Sequence, residues 1–369
     1  MSLAHPFSSL MRQARLTVAI LGASGYTGGE LLRLLHGHQR VTVNTVTADK
    51  SVGVPVSEVF PSLDTFHTLR FEPLRIERII KKVDFVFAAL PHTTSMKPVA
   101  ACVSAGKPVI DLSADYRLKR AATYEQWYGT PHTSPALLKQ SVYGLPELHR
   151  ATIRRARLVA APGCYPTAAI LQLAPLLACQ VIQTDSIVVD AKSGISGAGR
   201  SPALSSHFPE AHDSITAYAI ARHRHLPEIE QELERIITTH STRRQGRPTV
   251  NVVFTPHLTP MNRGILSTAY AKLRKPLTDD DVTQLYRDFY RHERFVRIRE
   301  APSFISPGHV RGSNFCDIGA CVERRTHHVI AVSALDNLVK GAAGQAIQAM
   351  NVMMGFPEET ALTSPGVFP

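Results

Sequence analysis

The order of apolar and polar stretches predicts alternating strands and helices in the first half of the chain. Apolar runs at 15–21, 41–47, 83–90 and 108–112 have the length and β-branched content of buried strands. Helical patterns at 30–36 and 96–105 separate them. Such alternation predicts an α/β fold with a doubly wound parallel sheet. Residues 118–157 look irregular, and we expect them to cross the surface before the sheet resumes at residue 158.

The second half has a different pattern. A strand is predicted at 186–191, and alternating runs at 250–255, 264–272 and 315–322 predict a mostly antiparallel sheet, with a helix at 279–292. A chain of 369 residues is long enough for two cores. We therefore expect a second, α+β domain over about 164–333, followed by a long helix that begins near Asn337.

One cysteine lies at a predicted strand-to-helix turn. The run 158–161 reads as a buried strand that Pro162 and Gly163 break, and Pro166 favours a helix from about residue 167. Cys164 would then lie near unpaired N–H groups and the positive end of a helix dipole, which favour a thiolate. The alternative is an ordinary buried cysteine, a common environment for this residue type.

Composition narrows the function classes. The net charge is +11, but the basic residues are scattered, without the basic blocks or aromatic interleaving of a nucleic-acid surface. No apolar run is long enough to span a bilayer. The five cysteines form no CxxC pair, so we expect no disulfide framework, no structural zinc and a cytoplasmic location. Residues 1–14 fit a tail, a tag remnant or a weak organellar presequence.

A glycine-rich turn follows the first predicted strand. Its glycines, Gly22, Gly25 and Gly28, have the spacing GxxGxxG, which departs from GxGxxG, but the order strand, glycine turn and helix is retained. This order suits a dinucleotide, because glycines allow a pyrophosphate to approach the helix N-terminus closely. The residues between the glycines, Ser24, Tyr26 and Thr27, belong to the same predicted site.

The end of the second strand bears on which dinucleotide binds. NAD sites usually offer an acidic residue there to the ribose 2′-hydroxyl, whereas this strand ends at Thr47, and Lys50 follows Asp49. A cation near this position suits a 2′-phosphate, so NADP(H) is the preferred cofactor. The alternative is that Lys50 is a solvated loop lysine.

Further polar side chains follow other strands. Loops 91–93 and 111–117 should lie at the carboxyl edge of the first sheet, where Arg117 could clamp a carboxylate or phosphate or could simply be a surface arginine. The segment 192–200 contains Lys192, Arg200 and three glycines. It is suited to oxyanions as a flexible, amide-rich loop, or it is a mobile linker.

Two histidines, His223 and His225, precede a predicted helix that runs through residue 234. Their HxH spacing invites a metal site, but no nearby Cys, His or acidic cluster supplies the remaining ligands, so we expect no metal. A thiol nucleophile usually needs a positioned base. A histidine that transfers protons for Cys164 therefore explains the motif better.

Nine strings, taken together in order, resemble the N-acetyl-γ-glutamyl-phosphate reductase family of the semialdehyde dehydrogenase superfamily. They cover about residues 15 to 355. They are GASGYTGGELLRLL at Gly22, SEVFPSL at Ser57, DLSADYRL at Asp111, YGLPEL at Tyr143, APGCYPTA at Ala161, KSGISGAGR at Lys192, HRHLPEIEQ at His223, FTPHLTPMNRGI at Phe254 and NLVKGAAGQAIQAMN at Asn337.

The resemblance implies an NADP-binding Rossmann domain at 15–163 and 334–369, to which a C-terminal helix returns, and a catalytic and oligomerisation domain at 164–333. It implies that Cys164 is the nucleophile and that His223, with His225 in reserve, is the acid and base. A homo-oligomer, either a dimer or a tetramer, is expected. The implied substrate contacts are Arg117, Lys192, Ser196, Arg200 and His225. The implied cofactor contacts, besides the glycine-rich turn and Lys50, are Pro91, Ser193, Gly194, Asn337 and Gly341.

The implied reaction is NADPH-dependent reduction of N-acetyl-γ-glutamyl phosphate to the 5-semialdehyde and phosphate in arginine biosynthesis. The cysteine would displace phosphate to form a thioester, which then accepts a hydride. The alternatives are aspartate-semialdehyde dehydrogenase, the acyl-phosphate reductase of the aminoadipate chain in lysine synthesis and, from another class, a non-catalytic NADP-binding regulator.

Overall fold

The computed structural model describes residues 15–240, 249–300 and 304–368, so the interpretation of residues 1–14 lies outside the described residues. Strands β1–β7 are Leu16–Leu21, Val41–Thr47, Phe71–Glu72, Phe85–Ala88, Val109–Asp111, Val142–Tyr143 and Leu158–Ala160. Strands β8–β14 are Ile187–Gly194, Thr216–Ala217, Val252–Thr259, Ile265–Lys272, Val296–Ile298, Cys316–Glu323 and His328–Leu335.

The α-helices are numbered in chain order. Helices α1–α6 are Tyr26–His36, Val56–Val59, Ile76–Ile79, Met96–Ser104, Ala121–Tyr128 and Pro135–Gln140. Helices α7–α12 are Pro146–Ile153, Cys164–Ala178, Phe208–Ala211, Leu226–His240, Asp279–Phe289 and Gly344–Met354.

The first sheet is parallel throughout, with the strand order β3-β2-β1-β4-β5-β7-β6. Helices α1 and α12 cover one face, and α3 and α4 cover the other. The order reverses between β1 and β4, where open α/β sheets bind ligands at the carboxyl ends of their strands. The predicted doubly wound parallel sheet is confirmed.

The second sheet has the order β12-β13-β14-β11-β8-β10-β9. Most neighbours are antiparallel, and the exceptions are the parallel pairs β12 with β13 and β8 with β10. Helices α8, α10 and α11 bury one face of this sheet. The opposite face leaves apolar side chains exposed, with Val253 63%, Tyr270 39% and Val188 37% accessible.

The C-terminal helix returns to the first domain, as expected. A π-helical turn, Val339–Ala343, precedes α12, whose apolar residues join the core beneath β1 and α1. A buried ion pair between Lys340 and Glu147 at the start of α7 joins Nζ to Oε1 over 2.5 Å. The chain therefore crosses from the second sheet to the first through a tightly packed turn.

Three local predictions are wrong. Residues 118–157 contain helices α5, α6 and α7 and the edge strand β6, whose short lengths conceal their periodicity. Helix α8 begins at Cys164 rather than near residue 167, with Pro166 inside its first turn. Strand β8 extends to Gly194, and a 3₁₀ turn follows at Ile195–Ala198, so the first half of the expected flexible loop is sheet.

Candidate active site

Cys164 is the first residue of α8, directly after the loop that leaves β7. Gly163 is the N-cap residue in extended conformation. The side chain of Cys164 is partly exposed, whereas the rest of the first two helical turns is buried. A helix N-terminus leaves backbone N–H groups unpaired and pointing outward, so the sulfur lies beside donors that can stabilise negative charge.

Glu228 holds the turn before the cysteine. Its Oε1 accepts hydrogen bonds from Gly163 N and Tyr143 Oη, both at 2.8 Å, and its Oε2 lies 3.3 Å from Nη1 of Arg117. The carboxylate is only 1% exposed. This buried network fixes the backbone that presents Cys164.

His225 packs directly against this turn. A Cβ built on Gly163 would lie 2.5 Å from His225 Nε2, so only glycine fits there. The backbone N–H of His225 donates to Nδ1 of His223 at 3.2 Å, which assigns the proton of neutral His223 to Nε2. The two rings lie 4.8 Å apart between centroids. Both imidazoles therefore belong to one cluster beside the cysteine.

Burial keeps these imidazoles neutral. Desolvation, with the charge of Arg224 adding to it, lowers the pKa of His223 to about 4. Desolvation also lowers the pKa of His225 well below its usual value, and the neighbouring His223 and Arg117 act in the same direction. A neutral imidazole can accept a proton, so either histidine can serve as a base at neutral pH.

The cysteine differs from its predicted state. Desolvation raises the pKa of the Cys164 thiol to about 11, outweighing the opposing hydrogen bond from the backbone N–H of Tyr165 and the charge of Arg117. Without substrate the sulfur is therefore a thiol, not the thiolate that the helix terminus alone suggests. A base must remove its proton when it attacks.

A cavity of about 610 Å³ opens above the sulfur. It contains two arginines, Arg222 and Arg224, and no Asp or Glu among its described lining residues, which favours an anionic occupant. The lining residues are His92, Tyr128, Cys164, Tyr165, Ser193, Gly197, Ala198, Ser205, Tyr218, Ala219, Arg222, His223, Arg224, His225 and Leu258.

Several predicted substrate contacts lie elsewhere. Arg117 is 5% exposed and donates to the carbonyls of Ala161 and Leu112 besides its pairing with Glu228, so its charge is held inside the protein. Lys192 pairs with Asp190 on the sheet face away from the core. The hydroxyl of Ser196 donates to the carbonyl of Asn262 at 2.6 Å.

Arg200 is also absent from the cavity lining and contacts the first domain instead. Its guanidinium donates to the carbonyls of Ser24 at 3.0 Å and Val59 at 3.3 Å, and lies 5.0 Å above the ring of Phe60. The structure thus brings Arg200 to the glycine-rich turn rather than to Cys164.

The glycine-rich turn has the shape that a dinucleotide needs. Gly22 has φ +76°, and a Cβ there would lie 2.6 Å from the carbonyl of Ala89; a Cβ on Gly28 would lie 2.4 Å from Ala23. At Gly25, by contrast, nothing lies within 4 Å of the Cβ position, so open space lies beside the N-cap of α1. Ser24, Tyr26 and Thr27 are the chain neighbours of Gly25 and are at least partly exposed, and the open space fits a phosphate at a helix N-terminus.

The remaining predicted cofactor residues divide into two groups. Pro91 and Lys50 are exposed at the carboxyl edge of the first sheet, and Ser193 lines the cavity. Gly194 and Asn337 instead make internal contacts: a Cβ on Gly194 would lie 2.6 Å from the carbonyl of Asn262, and Asn337 Oδ1 accepts from Gly264 N at 2.7 Å. Gly194 ends β8, and Asn337 lies between β14 and the π-helical turn.

Gly341 lies against the cysteine. A Cβ at this position would be 2.8 Å from Cβ of Cys164. The π-helical turn of the C-terminal segment therefore forms part of the wall behind the sulfur.

Sequence reasoning missed several site residues. Glu228 stands within the HRHLPEIEQ string, and its position in the first turn of α10 was the available signal. Arg222 and Arg224 flank His223 in the chain and line the cavity, and the hydroxyl of Tyr218 donates to the hydroxyl of Tyr165 at 3.2 Å. Among the described residues, no group of three or more His, Cys, Asp or Glu is arranged to hold a metal ion. In the same part of the chain, no helix is long and apolar enough to cross a membrane.

Two family models match consecutive parts of the chain. The semialdehyde dehydrogenase NAD binding domain matches residues 17–156, and the semialdehyde dehydrogenase dimerisation domain matches residues 164–337. Among solved structures, aspartate semialdehyde dehydrogenase with NADP from Candida albicans has a TM-score of 0.69 at 15% identity, covering 92% of this chain and 99% of its own. Aspartate semialdehyde dehydrogenase II of Vibrio cholerae has a TM-score of 0.68 at 16% identity, covering 93% and 99%. These two likenesses support the fold.

Curated proteins with much higher sequence identity are named differently from these two solved structures. The N-acetyl-gamma-glutamyl-phosphate reductase of Geotalea daltonii is 52% identical over 355 residues, which cover 96% of this chain and 100% of the relative. That of Pelotomaculum thermopropionicum is 49% identical over 352 residues, covering 95% and 99%. The resemblance seen in the motifs is confirmed over nearly the whole length. The chain belongs to the N-acetyl-γ-glutamyl-phosphate reductase family.

Proposed function

We propose that the chain reduces N-acetyl-γ-glutamyl phosphate to N-acetylglutamate 5-semialdehyde and phosphate with NADPH, in arginine biosynthesis, through a thioester on Cys164. The observation that carries this proposal is the partly exposed cysteine at a helix N-terminus, between two neutral histidines and a cavity lined by arginines. The names of the relatives favour this substrate over the aspartyl and aminoadipyl phosphates, and a named enzyme activity disfavours a non-catalytic regulator.

In the first step, the sulfur of Cys164 attacks the acyl carbon while a histidine takes its proton, and phosphate leaves with the C–O bond electrons. The unpaired N–H groups at the start of α8 are suited to hold the carbonyl oxygen as it gains charge. When bound, NADPH supplies a hydride to the acyl carbon. The histidine then returns its proton, and the C–S bond breaks to release the aldehyde and restore the thiol.

The acid and base belongs to the HRH segment. Sequence reasoning prefers His223, with His225 in reserve, whereas the contact of His225 with Gly163 favours His225 as the residue nearer to the sulfur. His223, whose Nδ1 accepts from His225 N, would then orient that ring. The pH–rate profiles of His223→Asn and His225→Asn separate these roles. Loss of the acidic limb in the His223 variant alone would return the role to His223.

The anionic groups of the substrate need cations. Arg222 and Arg224 line the cavity, and the guanidinium of Arg224 lies 5.4 Å above the ring of Tyr128. We assign the phosphate and the α-carboxylate to these two arginines, in place of Lys192 and Arg200. Arg117 contributes positive charge from behind the turn without contacting substrate.

The cofactor site consists of the turn 22–28 and the neighbouring strand ends of the first sheet. The tight packing at Gly22 and Gly28 and the open space at Gly25 suit a bound pyrophosphate. We assign Lys50, Pro91 and Ser193 to the ribose and nicotinamide portions, because Lys50 and Pro91 are exposed at the strand ends and Ser193 lines the cavity.

The test combines substrate choice with two serine variants. The wild-type chain should reduce NADP⁺ in a phosphate-dependent reaction with N-acetylglutamate semialdehyde, and far more slowly with aspartate semialdehyde. Cys164→Ser should abolish turnover while NADPH binding survives, and Cys179→Ser, at an exposed cysteine, should be fully active. Substantial activity in the Cys164 variant would refute the thioester route.

We also propose the division into a cofactor domain, 15–163 with 334–369, and a catalytic domain, 164–333. The exposed apolar face of the second sheet is suited to join two copies of the chain, in agreement with the dimerisation domain named by the family model. Val253→Asp should split the dimer in light scattering, whereas Leu74→Asp, in the first domain, should not. A cytoplasmic location fits a biosynthetic enzyme, and cell fractionation tests it.

A further inference from the structure

The carboxyl end of β2 presents two opposite charges beside the cofactor turn. The N–H groups of Gly22 and Ala23 donate to Oγ1 and O of Thr47 at 3.0 and 2.8 Å, so the end of β2 is fixed next to the glycine-rich turn. Asp49 and Lys50 follow at once, and both are exposed. Neither takes part in the ion pairs or side-chain hydrogen bonds of the described residues.

The position of these two charges after β2 matches the site where dinucleotide-binding domains recognise the adenosine ribose. In dinucleotide-binding domains, an acidic side chain about 20 residues after the last glycine accepts a hydrogen bond from the adenosine ribose 2′-hydroxyl, whereas a cation there accommodates a 2′-phosphate. Asp49 follows Gly28 at this separation, and Ala48, immediately before it, is paired to Glu72 of β3 through its backbone N–H at 3.2 Å. Both kinds of recognition element are therefore present in adjacent positions.

The two residues act in opposite directions on the same ligand atom. A carboxylate is an acceptor of the ribose hydroxyl of NADH but repels the dianionic 2′-phosphate of NADPH, whereas the Lys50 ammonium attracts that phosphate. Another cation of this loop region, Arg70, donates to the carbonyl of Gly53 at 3.0 Å and remains exposed.

We propose that Asp49 penalises the 2′-phosphate and accepts the ribose 2′-hydroxyl, so that the chain binds and uses NADH as well as NADPH. This inference deepens the proposed function and rests on its cofactor site, not on the role of Cys164. Lys50 retains the affinity for NADPH, and the balance between the two side chains sets the preference.

The experiment measures dissociation constants for NADH and NADPH by calorimetry, without substrate, in the full chain. The wild type should bind the two within about tenfold of each other. Asp49→Asn should tighten NADPH binding about three- to tenfold by removing repulsion. It should weaken NADH binding about tenfold by removing a charged acceptor. Lys50→Ala should shift the ratio toward NADH.

The control is Asp280→Asn, which removes the same charge from an exposed position in α11, in the second domain, and should leave the ratio unchanged. A wild-type preference for NADPH above a hundredfold would overturn the inference. An Asp49→Asn ratio within twofold of the wild-type ratio would overturn it as well. Because binding is read without turnover, these outcomes remain distinct from a failure of the thioester mechanism.

Discussion

Replacing Glu228 by glutamine tests how the buried network presents the cysteine. The carboxylate is 1% exposed and Arg117 is 5% exposed, and the pair is closed from solvent. Glutamine keeps the size but removes the charge, and its amide N–H₂ would face the guanidinium, donor against donor. Removing one partner of a buried ion pair costs about 3–5 kcal/mol. Taking the lower figure, and an unfolding entropy of about 0.8 kcal/mol/K for 369 residues, the unfolding midpoint should fall by roughly 4 °C.

Glu228→Gln should also change the pKa of the Cys164 thiol, and the charges around the sulfur determine the direction of that change. The charge of Glu228 raises the pKa of Cys164, and the charge of Arg117 lowers it. Glu228→Gln therefore leaves the arginine unopposed and should lower the pKa of the thiol, so that iodoacetamide labels Cys164 faster at pH 8. Turnover should nevertheless fall about a hundredfold, because the turn that Gly163 anchors loses its geometry.

The assay combines calorimetric unfolding, mass-spectrometric mapping of the alkylated cysteine and steady-state rates. Glu232→Gln is the matched control, because Glu232 is an equally buried carboxylate one turn along α10 that accepts from His149 at 2.8 Å and does not contact the cysteine turn. This variant should lose stability but keep the labelling rate of the wild type. Slower labelling of Cys164 in Glu228→Gln, or an unfolding midpoint equal to that of the wild type, would refute the reasoning.

Three further outcomes follow from the site. Gly341→Ala places a methyl 2.8 Å from Cβ of Cys164 and should lower kcat about a hundredfold and the free energy of unfolding by about 1–3 kcal/mol. The control Gly37→Ala, whose methyl would lie 3.8 Å from its nearest neighbour, should change neither quantity. An active Gly341 variant would contradict the packing. Because burial raises the pKa of Cys164 to about 11, its alkylation in the substrate-free chain should accelerate about tenfold per pH unit between pH 7 and 10, and a plateau near pH 7 would indicate a preformed thiolate. Arg224→Gln should raise KM for the acyl phosphate at least tenfold, since a charge-assisted contact contributes about 1.5–3 kcal/mol, while NADPH binding stays constant; an unchanged KM would remove Arg224 from the substrate site.

The parts of the fold that the sequence predicted best are those buried on both sides. The strands of the first sheet are continuous apolar runs because helices cover both faces, and their predicted positions agree with β1, β2, β4 and β5 to within two residues. Helix starts were less accurate. Helices α1 and α8 begin at Tyr26 and Cys164, before their apolar periodicity becomes visible, because glycine and proline occupy the first turns.

In the candidate site, contacts between segments that are distant in sequence could not be predicted. Position along the chain made Cys164 and the histidine pair candidates, because a turn after a strand and an HxH string are local signals, but it left open whether Cys164 is an ordinary buried cysteine. The engagement of Arg117 by Glu228 depends on two segments 111 positions apart in sequence, and no local pattern reveals it. For the same reason the rise in the pKa of Cys164 could not be read from the chain, since it depends on what encloses the sulfur.

The path of the C-terminal segment has a consequence for how the protein is made. Gly341 borders the nucleophile, and Asn337 links Gly264 to Ser196 through its amide. The ribosome has already released most of both sheets before these residues emerge from its exit tunnel. Nascent chains therefore carry an unfinished catalytic centre until residue 341 has emerged, and messages truncated before that residue yield protein that cannot assemble it.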